Sequence, residues 1–302
     1  GAENHTTILV IEPSPIEQNM LWVGTDDGKV HFTQNSGTSW IEVTKNIPKL
    51  PKGSWISQIK ASNKQKGEAL LVANDYRRFN FTPYVYRTTN YGKTWNRIVD
   101  ENDVLSYALC IVEDPEEKNL LFLGTDDGLY ISMDAGIKWE KWGHDFPTVS
   151  VKDLVIQERE NDLVIGTFGR AAWVLDDITP LRVMANNNEI LSSKIKLFKA
   201  PTAYLAAYQQ PTGSRFGADA IFNGDNKEYG ARIMFYFTKN ETNEELTEDK
   251  ALLKTGAHKD SIYLKIYDKD RLIRNLKRKV PDSTGLYKWR WFMDEAGVGR
   301  PS

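Results

Sequence analysis

The chain has 302 residues and a formal net charge of −2, with 39 Lys and Arg against 41 Asp and Glu. This length is sufficient for two domains, each with its own core. A near-neutral charge without a basic stripe argues against a nucleic-acid partner, and no apolar run reaches the roughly 18 residues that a membrane-spanning helix requires.

The first predicted elements are short strands joined by a tight turn. Leu21–Thr25 and Lys29–Thr33 flank the turn Asp26–Gly28, and a further strand, Thr7–Ile11, precedes them. Runs of β-branched and aromatic residues on both sides of an Asp-Gly turn are a strong hairpin signal. The same order of elements returns at Leu121–Thr125 and the residues around it. The sequence therefore predicts repeated antiparallel sheets.

A short phrase recurs three times in this pattern: a hydroxyl residue, then Asn or Asp, then Gly, then Trp, in fixed register. The Asn or Asp side chain is expected to accept backbone N–H groups, the Gly to take a positive φ, and the Trp to pack between sheets. The Trp residues are roughly 50 positions apart, as in a propeller of four-stranded blades. The structural residues of the phrase are Asn35, Gly37, Trp40, Asn90, Gly92, Trp95, Asp134, Gly136 and Trp139.

A fourth unit lacks the phrase and consists of Val151–Ile156, Asp162–Gly166 and Ala172–Leu175. Residues 1–182 are therefore predicted to form three full blades and one partial blade of a β-propeller. Such a set does not close a ring. We expect the missing blades to come from the rest of its own propeller, upstream of Gly1, or from a partner chain.

The character of the chain changes after the fourth unit. Residues 183–194 are polar and turn-prone and are interpreted as a linker. Beyond it come evenly spaced short strands such as Ala231–Phe237 and Leu286–Trp291, which predict a β-sandwich over residues 195–302. The chain stops soon after Trp291, which leaves open whether the sandwich has its final strand.

Four segments carry a resemblance to a known family: Gly24–Gly28, Pro83–Trp95, Glu160–Arg170 and Val174–Leu181. They resemble the Asp-box (bacterial neuraminidase repeat) proteins of the sortilin-like type, above all the large secreted two-propeller proteins of Bacteroidetes-type bacteria. The resemblance implies an all-β fold of propeller blades followed by an immunoglobulin-like domain, located outside the cell or on the outer-membrane surface. The chain departs from the family at Asn35 and Asn90, where Asp is usual, and at Phe168, where His is more common.

Strand alternation places the loops on two sides of the sheets. The repeated phrase shares one side with the loop Glu12–Asn19, and the Asp-Gly turns lie on the other side. That second side also receives the long insertion Asn74–Tyr84 and the connector Trp142–Phe146, so we expect a protein or glycan ligand there. The candidate binding residues are Tyr76, Arg77, Arg78, Phe79, Tyr84, Asp126, Asp127, Trp142, His144 and Arg170.

Each of these candidates has a structural alternative. Asp126 and Asp127 are expected in a hairpin turn anyway, although a carboxylate pair or a calcium site would use the same residue types. Arg77 and Arg78, with aromatic neighbours, suit a glycan or peptide, but a solvated loop would have the same sequence. An Arg in the position of Arg170 is more often a structural ion-pair residue than a substrate clamp.

No cofactor is predicted. His144 is one of four histidines, and no pair of them has metal-ligand spacing, so the sequence also predicts no metal site. The single Cys110 lies in a predicted strand and is interpreted as an inert core thiol.

Three classes of function remain open. The favoured one is a non-enzymatic secreted or cell-surface binding or scaffold protein that uses propeller loops to bind a protein or glycan. The alternative is a glycoside hydrolase, sialidase-like or endo-glucanase-like, whose catalytic groups lie partly outside this chain, since two carboxylates must face each other across the substrate. The third is a structural part of a surface assembly. No catalytic residue is assigned.

Overall fold

The computed structural model describes residues 6–143, 145–204, 227–239 and 261–297. The described chain is all-β apart from short helical segments. It divides into two compact units, Gly1–Asn187 and Asn188–Ser302. None of the helices within the described residues is long and apolar enough to cross a membrane. The boundary between the units falls inside the segment interpreted as a linker.

The first unit consists of four antiparallel sheets, in each of which the strands follow chain order. Three of these sheets have four strands and the last has three, as the repeat pattern predicts. The strands are β1 (Ile8–Pro13), β2 (Leu21–Thr25), β3 (Val30–Thr33), β4 (Ile41–Glu42), β5 (Trp55–Ala61), β6 (Ala69–Asp75), β7 (Asn80–Thr88), β8 (Asn96–Arg97), β9 (Ala108–Glu113), β10 (Leu121–Thr125), β11 (Gly128–Ser132), β12 (Glu140–Lys141), β13 (Val151–Gln157), β14 (Asp162–Thr167) and β15 (Ala172–Leu175).

Each of the four sheets of the first unit has a β-bulge at the same place in its first strand. A bulge adds one residue to a strand, so that residues three apart, such as Ile56 and Ile59, face the same way. Simple alternation in the sequence does not reveal this. The register shifts lie at Ile8/Val10, Ile56/Gln58, Ala108/Cys110 and Val151/Asp153.

Neighbouring sheets pack face to face through buried apolar side chains. Between the first two sheets, Trp22 contacts Phe32 at 5.2 Å and Trp95 at 5.9 Å between ring centroids, and Ile56 and Ile59 are fully buried beside them. Burying one such side chain stabilises a fold by about 1.5–3 kcal/mol. A second core of the same kind lies between the second and third sheets, with Leu70, Val72, Ile111, Leu121 and Leu123.

The three repeated phrases form turns that use their own side chains. In the second one, Asn90 Oδ1 accepts the Thr94 N–H at 2.9 Å, and Thr88 Oγ1 accepts the Gly92 N–H at 3.0 Å. Gly92 has a φ of +72°. The Tyr91 N–H donates to the carbonyl of Gly67, so the turn lies beside the loop between the first two strands of its sheet. We call this side of the sheets the box face and the side of the Asp-Gly turns the turn face.

The Trp residues of the phrases differ in burial. Trp95 and Trp139 are each only 3 % exposed, and the Trp139 indole N–H donates to the carbonyl of Ile98 at 2.7 Å. Trp40 is 44 % exposed. The expectation that every Trp packs between sheets is therefore wrong for the first copy, because no described sheet precedes it.

The first unit ends in α1 (Thr179–Asn186), which has a Pro in its first turn. Arg182 of this helix is buried, and its Nε donates to both oxygens of Asp114 at 2.8 and 2.9 Å. Its Nη1 donates to Asn161 Oδ1 at 2.6 Å. A buried ion pair therefore joins α1 to the loop after β9. Residues 183–186 of the segment interpreted as a linker lie in α1.

The second unit contains β16 (Ile195–Leu197), β17 (Ala231–Phe237), β18 (Ser261–Asp268), β19 (Arg271–Lys279) and β20 (Gly285–Trp291). Its described strands form a sheet in the order β16-β17-β20 and a separate hairpin of β18 and β19. The ring of Phe235 lies 5.7 Å from that of Tyr287 and 5.8 Å from that of Trp289. β17 and β20 match the strands predicted at Ala231–Phe237 and Leu286–Trp291, whereas the immunoglobulin-like sandwich stays a prediction.

Candidate functional site

The turn face of the second sheet carries the loop that joins β6 to β7. It begins at Asp75, continues through the 3₁₀ helix Tyr76–Arg78 and reaches Phe79, whose φ of +60° is left-handed. The buried Asp75 carboxylate accepts hydrogen bonds from Arg78 Nε at 2.6 Å and from Asn80 Nδ2 at 3.3 Å. Since both bonds cross the loop, Asp75 fixes its shape.

Arg77, in the same loop, lies over two aromatic rings. Its guanidinium carbon is 3.2 Å from the ring centroid of Trp55 and 4.8 Å from that of Tyr76. Cation–π contacts of exposed groups are worth about 0.5–1 kcal/mol each. Trp55 is the first residue of β5, so this contact ties the loop to the sheet.

The aromatic contacts continue onto the third sheet. Tyr76 stacks on Tyr107 at 4.7 Å between centroids, and Phe81 lies 6.0 Å from Tyr107. Burial, followed by a hydrogen bond with Asp126, raises the pKa of the Tyr107 hydroxyl. Tyr107 therefore stays a neutral phenol, and Asp126 is engaged with it.

These side chains form one continuous surface across two sheets, which we call the aromatic patch. Phe79 is 87 % exposed, and Phe81 and Arg77 are also exposed. Tyr107 is buried beneath them. The patch consists of the contacting side chains Trp55, Tyr76, Arg77, Phe81 and Tyr107, together with Phe79 of the same loop.

Two further predicted binding residues have partners inside the loop. Tyr84 is buried, and its hydroxyl accepts a hydrogen bond from Asn80 Nδ2 at 2.9 Å. Arg78 is exposed, and its Nε forms an ion pair with Asp75. Tyr84 therefore supports the loop by packing and does not contribute an exposed ring.

Asp127 belongs to the turn itself. It accepts hydrogen bonds from Thr125 Oγ1 at 2.7 Å, Lys141 Nζ at 2.8 Å and Tyr130 Oη at 3.3 Å. Burial alone would raise the pKa of Asp127, but the bonds from Lys141 and Thr125 outweigh it and hold that pKa below its usual value. The carboxylate is consumed by local bonds, as the structural alternative expects.

The remaining predicted residues lie at the third and fourth sheets. Trp142 is half-buried, with its N–H donating to the carbonyl of Leu129 at 2.8 Å. Arg170 is exposed, and its carbonyl accepts the Trp173 indole N–H at 3.0 Å. Nearby, Phe146 packs edge-on against Trp173 at 5.6 Å. His144 lies outside the described residues.

Sequence reasoning missed three members of the patch. Trp55 and Tyr107 stand at or just before the start of the first strand of their sheets. Because successive strands run in opposite directions, this position alone would have placed both residues on the turn face. Phe81 lies within the predicted insertion but was not singled out. The signal that could have found them is an aromatic residue directly before a buried strand on the side of the Asp-Gly turns.

The box face holds a cavity of about 240 Å³ that is lined by polar and apolar residues of the second, third and fourth sheets. Arg87 Nη1 lies 2.7 Å from Glu68 Oε1, and Nη2 lies 2.7 Å from Glu113 Oε2. Burial raises the pKa of Glu113, although Arg87 opposes this. Arg87 stands where the neighbouring sheets have Phe32 and Ile131. The geometry is that of an ion triad joining two sheets.

Metal ligands do not converge anywhere in the part of the chain that the structure describes: no three His, Cys, Asp or Glu side chains form a group that could hold an ion. The sole Cys110 is buried, and burial raises the pKa of its thiol. A high thiol pKa makes the reactive thiolate rare at neutral pH.

No family model and no curated protein matches the chain. Among solved structures it is similar to YCF48 from Cyanidioschyzon merolae, at 16% identity and a TM-score of 0.42, over 59% of this chain and 55% of that one. It is also similar to the GH74 xyloglucanase from Xanthomonas campestris, at 13% identity and a TM-score of 0.43, over 78% and 36%. A third is the extracellular domain of a one component system from B. thetaiotaomicron, at 16% identity and a TM-score of 0.42, over 59% and 22%. The chain spans little more than half of the first and less of the other two.

Proposed function

We propose that the first unit is a series of Asp-box propeller blades and that the protein is a non-enzymatic binding or scaffold protein of the cell exterior or outer-membrane surface. Support for the architecture comes from four successive antiparallel sheets with a common bulge and three turns of common geometry. The second unit would then be the immunoglobulin-like domain of the same family.

The aromatic patch is the observation that carries the binding role. Phe79 combines a left-handed backbone with 87 % exposure. The left-handed conformation costs a non-glycine residue about 1–2 kcal/mol. Because the Phe79 ring is exposed, burial of the ring does not offset this cost. The loop is nevertheless held in one shape by Asp75. Strain kept in a fixed, exposed loop points to function.

The chemistry of the patch favours a protein partner, with a glycan as the second choice. Aromatic and Arg side chains dominate the energetics of protein interfaces. Phe79 and Phe81 carry no polar group to orient sugar hydroxyls, whereas Arg77 and the Tyr76 ring could contact either ligand. A rigid display also lowers the entropic cost of binding.

The glycoside hydrolase alternative would need two carboxylates that are free to act on a substrate. The carboxylates beside the patch are engaged: Asp75 with Arg78 and Asn80, and Asp126 with Tyr107. We therefore assign no catalytic residue in this chain. A hydrolase would require groups supplied from elsewhere.

The test is a double variant, Arg77→Ala with Phe79→Ala, compared with Phe168→Ala as a control. Phe168 is also a highly exposed ring of the first unit but lies outside the patch. Envelope extracts and a glycan panel supply the ligands. We expect the double variant to lose about 30-fold or more in affinity, equivalent to roughly 2 kcal/mol, with the control unchanged. Undiminished binding, or glycan hydrolysis by residues 1–302, would contradict the proposal.

A further inference from the structure

The first sheet leaves exposed a face that the second and third sheets bury. We call this the upstream face, because in later sheets it packs on the preceding sheet. Three equivalent positions define it: two in the first strand on either side of the bulge, and the Trp of the repeated turn. The exposed fractions are 53 % for Ile8, 59 % for Ile11 and 44 % for Trp40, against 0 % for Ile56, 0 % for Ile59 and 3 % for Trp95.

The strand registers establish that these positions are equivalent. In the first sheet, Ile8 and Ile11 flank the bulge and face the same way. In the second sheet, Ile56 and Ile59 do the same. The third sheet repeats the arrangement with Ala108, Ile111 and Trp139, all of them buried. The first sheet thus has the residues of a docking face without a described occupant.

The two occupied interfaces show what covers such a face. Trp95 packs on Trp22 of the preceding sheet, and a Cβ added at Gly92 would lie 2.9 Å from Val43 Cγ2. Trp139 donates to the carbonyl of Ile98. Val43 and Ile98 are equivalent: each directly follows the fourth strand and donates its N–H to the third strand. A docked Trp therefore requires a neighbour with a complete fourth strand.

The second strand of the neighbouring sheet must also lack a side chain at one position. A Cβ added at Gly24 would lie 2.4 Å from Ile56 Cγ2, and one added at Gly124 would lie 2.7 Å from Val151 Cγ1. A branched residue in the bulged strand is thus matched by Gly in the sheet before it. Ile8 is such a residue, so its occupant should have Gly at this position.

We propose that the upstream face of the first sheet, formed by Ile8, Ile11 and Trp40, docks a further four-stranded sheet of the same repeat. This sheet has Gly in the place of Gly24 and a residue after its fourth strand in the place of Val43 and Ile98. The fourth sheet of a second copy of the chain does not meet the description. It has Gly166 in the right place, but among the described residues it has only the strands β13, β14 and β15, so none of these residues follows a fourth strand and could receive Trp40.

The test supplies the sheet directly. A second copy of residues 7–54 is placed before Thr7 of the original chain. Residue 54 of the added copy is then followed by the original Thr7, just as residue 54 of the original chain is followed by Trp55. The reporter is Ile11→Cys in the original copy, followed by thiol labelling of the native protein. Cys110 is buried and gives little background. Ile137→Cys, at an exposed position of the third repeated turn, is the matched control.

We expect the added sheet to slow labelling of Ile11→Cys by about ten-fold or more, because labelling then requires local opening, and to leave Ile137→Cys unchanged. Gly24→Leu in the added copy should restore fast labelling. An added sheet that stays sensitive to protease, or a protected one that leaves labelling unchanged, would overturn the proposal. The proposal would also be overturned if the chain without the added sheet forms dimers in the ultracentrifuge and these dimers protect Ile11→Cys. The occupant of the upstream face would then be a second copy of the chain.

Discussion

The two faces of the same sheets use their side chains in opposite ways. On the box face, Asn35, Asn90 and Asp134 bond to backbone groups within their own turns. On the turn face of the second sheet, Arg77 and Phe79 project from a loop held by other residues. One face is repetitive because its side chains are consumed in forming the turn. The other is free to vary from sheet to sheet, and this is where we propose recognition.

The largest effect on stability is expected from Asp114→Ala on the box face. This change leaves the buried Arg182 without its main partner and removes hydrogen bonds to the N–H groups of Glu116 and Glu117. Leaving one member of a buried pair costs about 3–5 kcal/mol. Urea unfolding measures the loss, with Glu160→Ala, half of the exposed pair with Arg159, as a control that shifts the midpoint little. Equal effects of the two changes would contradict the account.

A smaller loss is expected from Asp134→Ala. Asp134 Oδ1 accepts the N–H groups of Ile137 and Lys138 at 3.0 and 2.9 Å. Losing a side-chain cap of this kind costs roughly 1–2 kcal/mol. Asp134→Asn should be nearly neutral, because Asn35 and Asn90 serve in the other copies. Ligand affinity should stay unchanged, and a still-folded Asp134→Ala protein that no longer binds would place the ligand on the box face.

Phe79→Gly sharpens the comparison from the turn face. Because glycine adopts φ near +60° without penalty, we expect the free energy of unfolding to rise by about 0.5–1 kcal/mol, even though a large side chain is removed. Affinity for the partner should fall at the same time. Thermal unfolding and a binding titration on one preparation measure both quantities. A loss of stability would show that the Phe79 ring packs on the fold.

The pH dependence that Tyr86 gives to stability appears only in alkali. Burial raises the pKa of Tyr86 to about 12, against an ordinary value of 10.0. Above pH 10 the unfolded chain releases this proton first, so the stabilisation present below pH 10 declines as the pH rises toward 12. Tyr86→Phe should flatten this decline in urea unfolding between pH 9 and 11. An identical decline in the variant would assign it to other groups.

The sequence was most informative where short local signals decide structure. The Asp-Gly turns placed Leu21–Thr25 and Leu121–Thr125 as the structure has them, because hairpin geometry depends on a few adjacent residues. The bulge at Ile56 escaped notice, since an inserted residue breaks the alternation that strand reasoning relies on. The pairing of Arg182 with Asp114 joins residues 68 positions apart, and nothing local signals it.

The location of the candidate site could be predicted from the sequence, but not all of the residues that form it could. The insertion after β6 was recognised as the distinctive loop of the turn face, and Tyr76, Arg77 and Phe79 lie there. Tyr84 was expected in the same surface but is buried, because the strand β7 resumes before it. Trp55 and Tyr107 enter the patch from other parts of the chain, and contacts between residues 22 and 31 positions apart depend on tertiary packing.

The most direct measurement compares two variants for both folding and binding. The account predicts that Arg77→Ala with Phe79→Ala stays folded and loses about 30-fold or more in affinity, whereas Asp134→Ala lowers the urea midpoint and keeps the affinity. The partner is whichever protein or glycan the envelope extracts and glycan panel identify. The reverse pattern would contradict the division of roles between the two faces. So would binding that survives the double variant and disappears on deletion of residues 195–302.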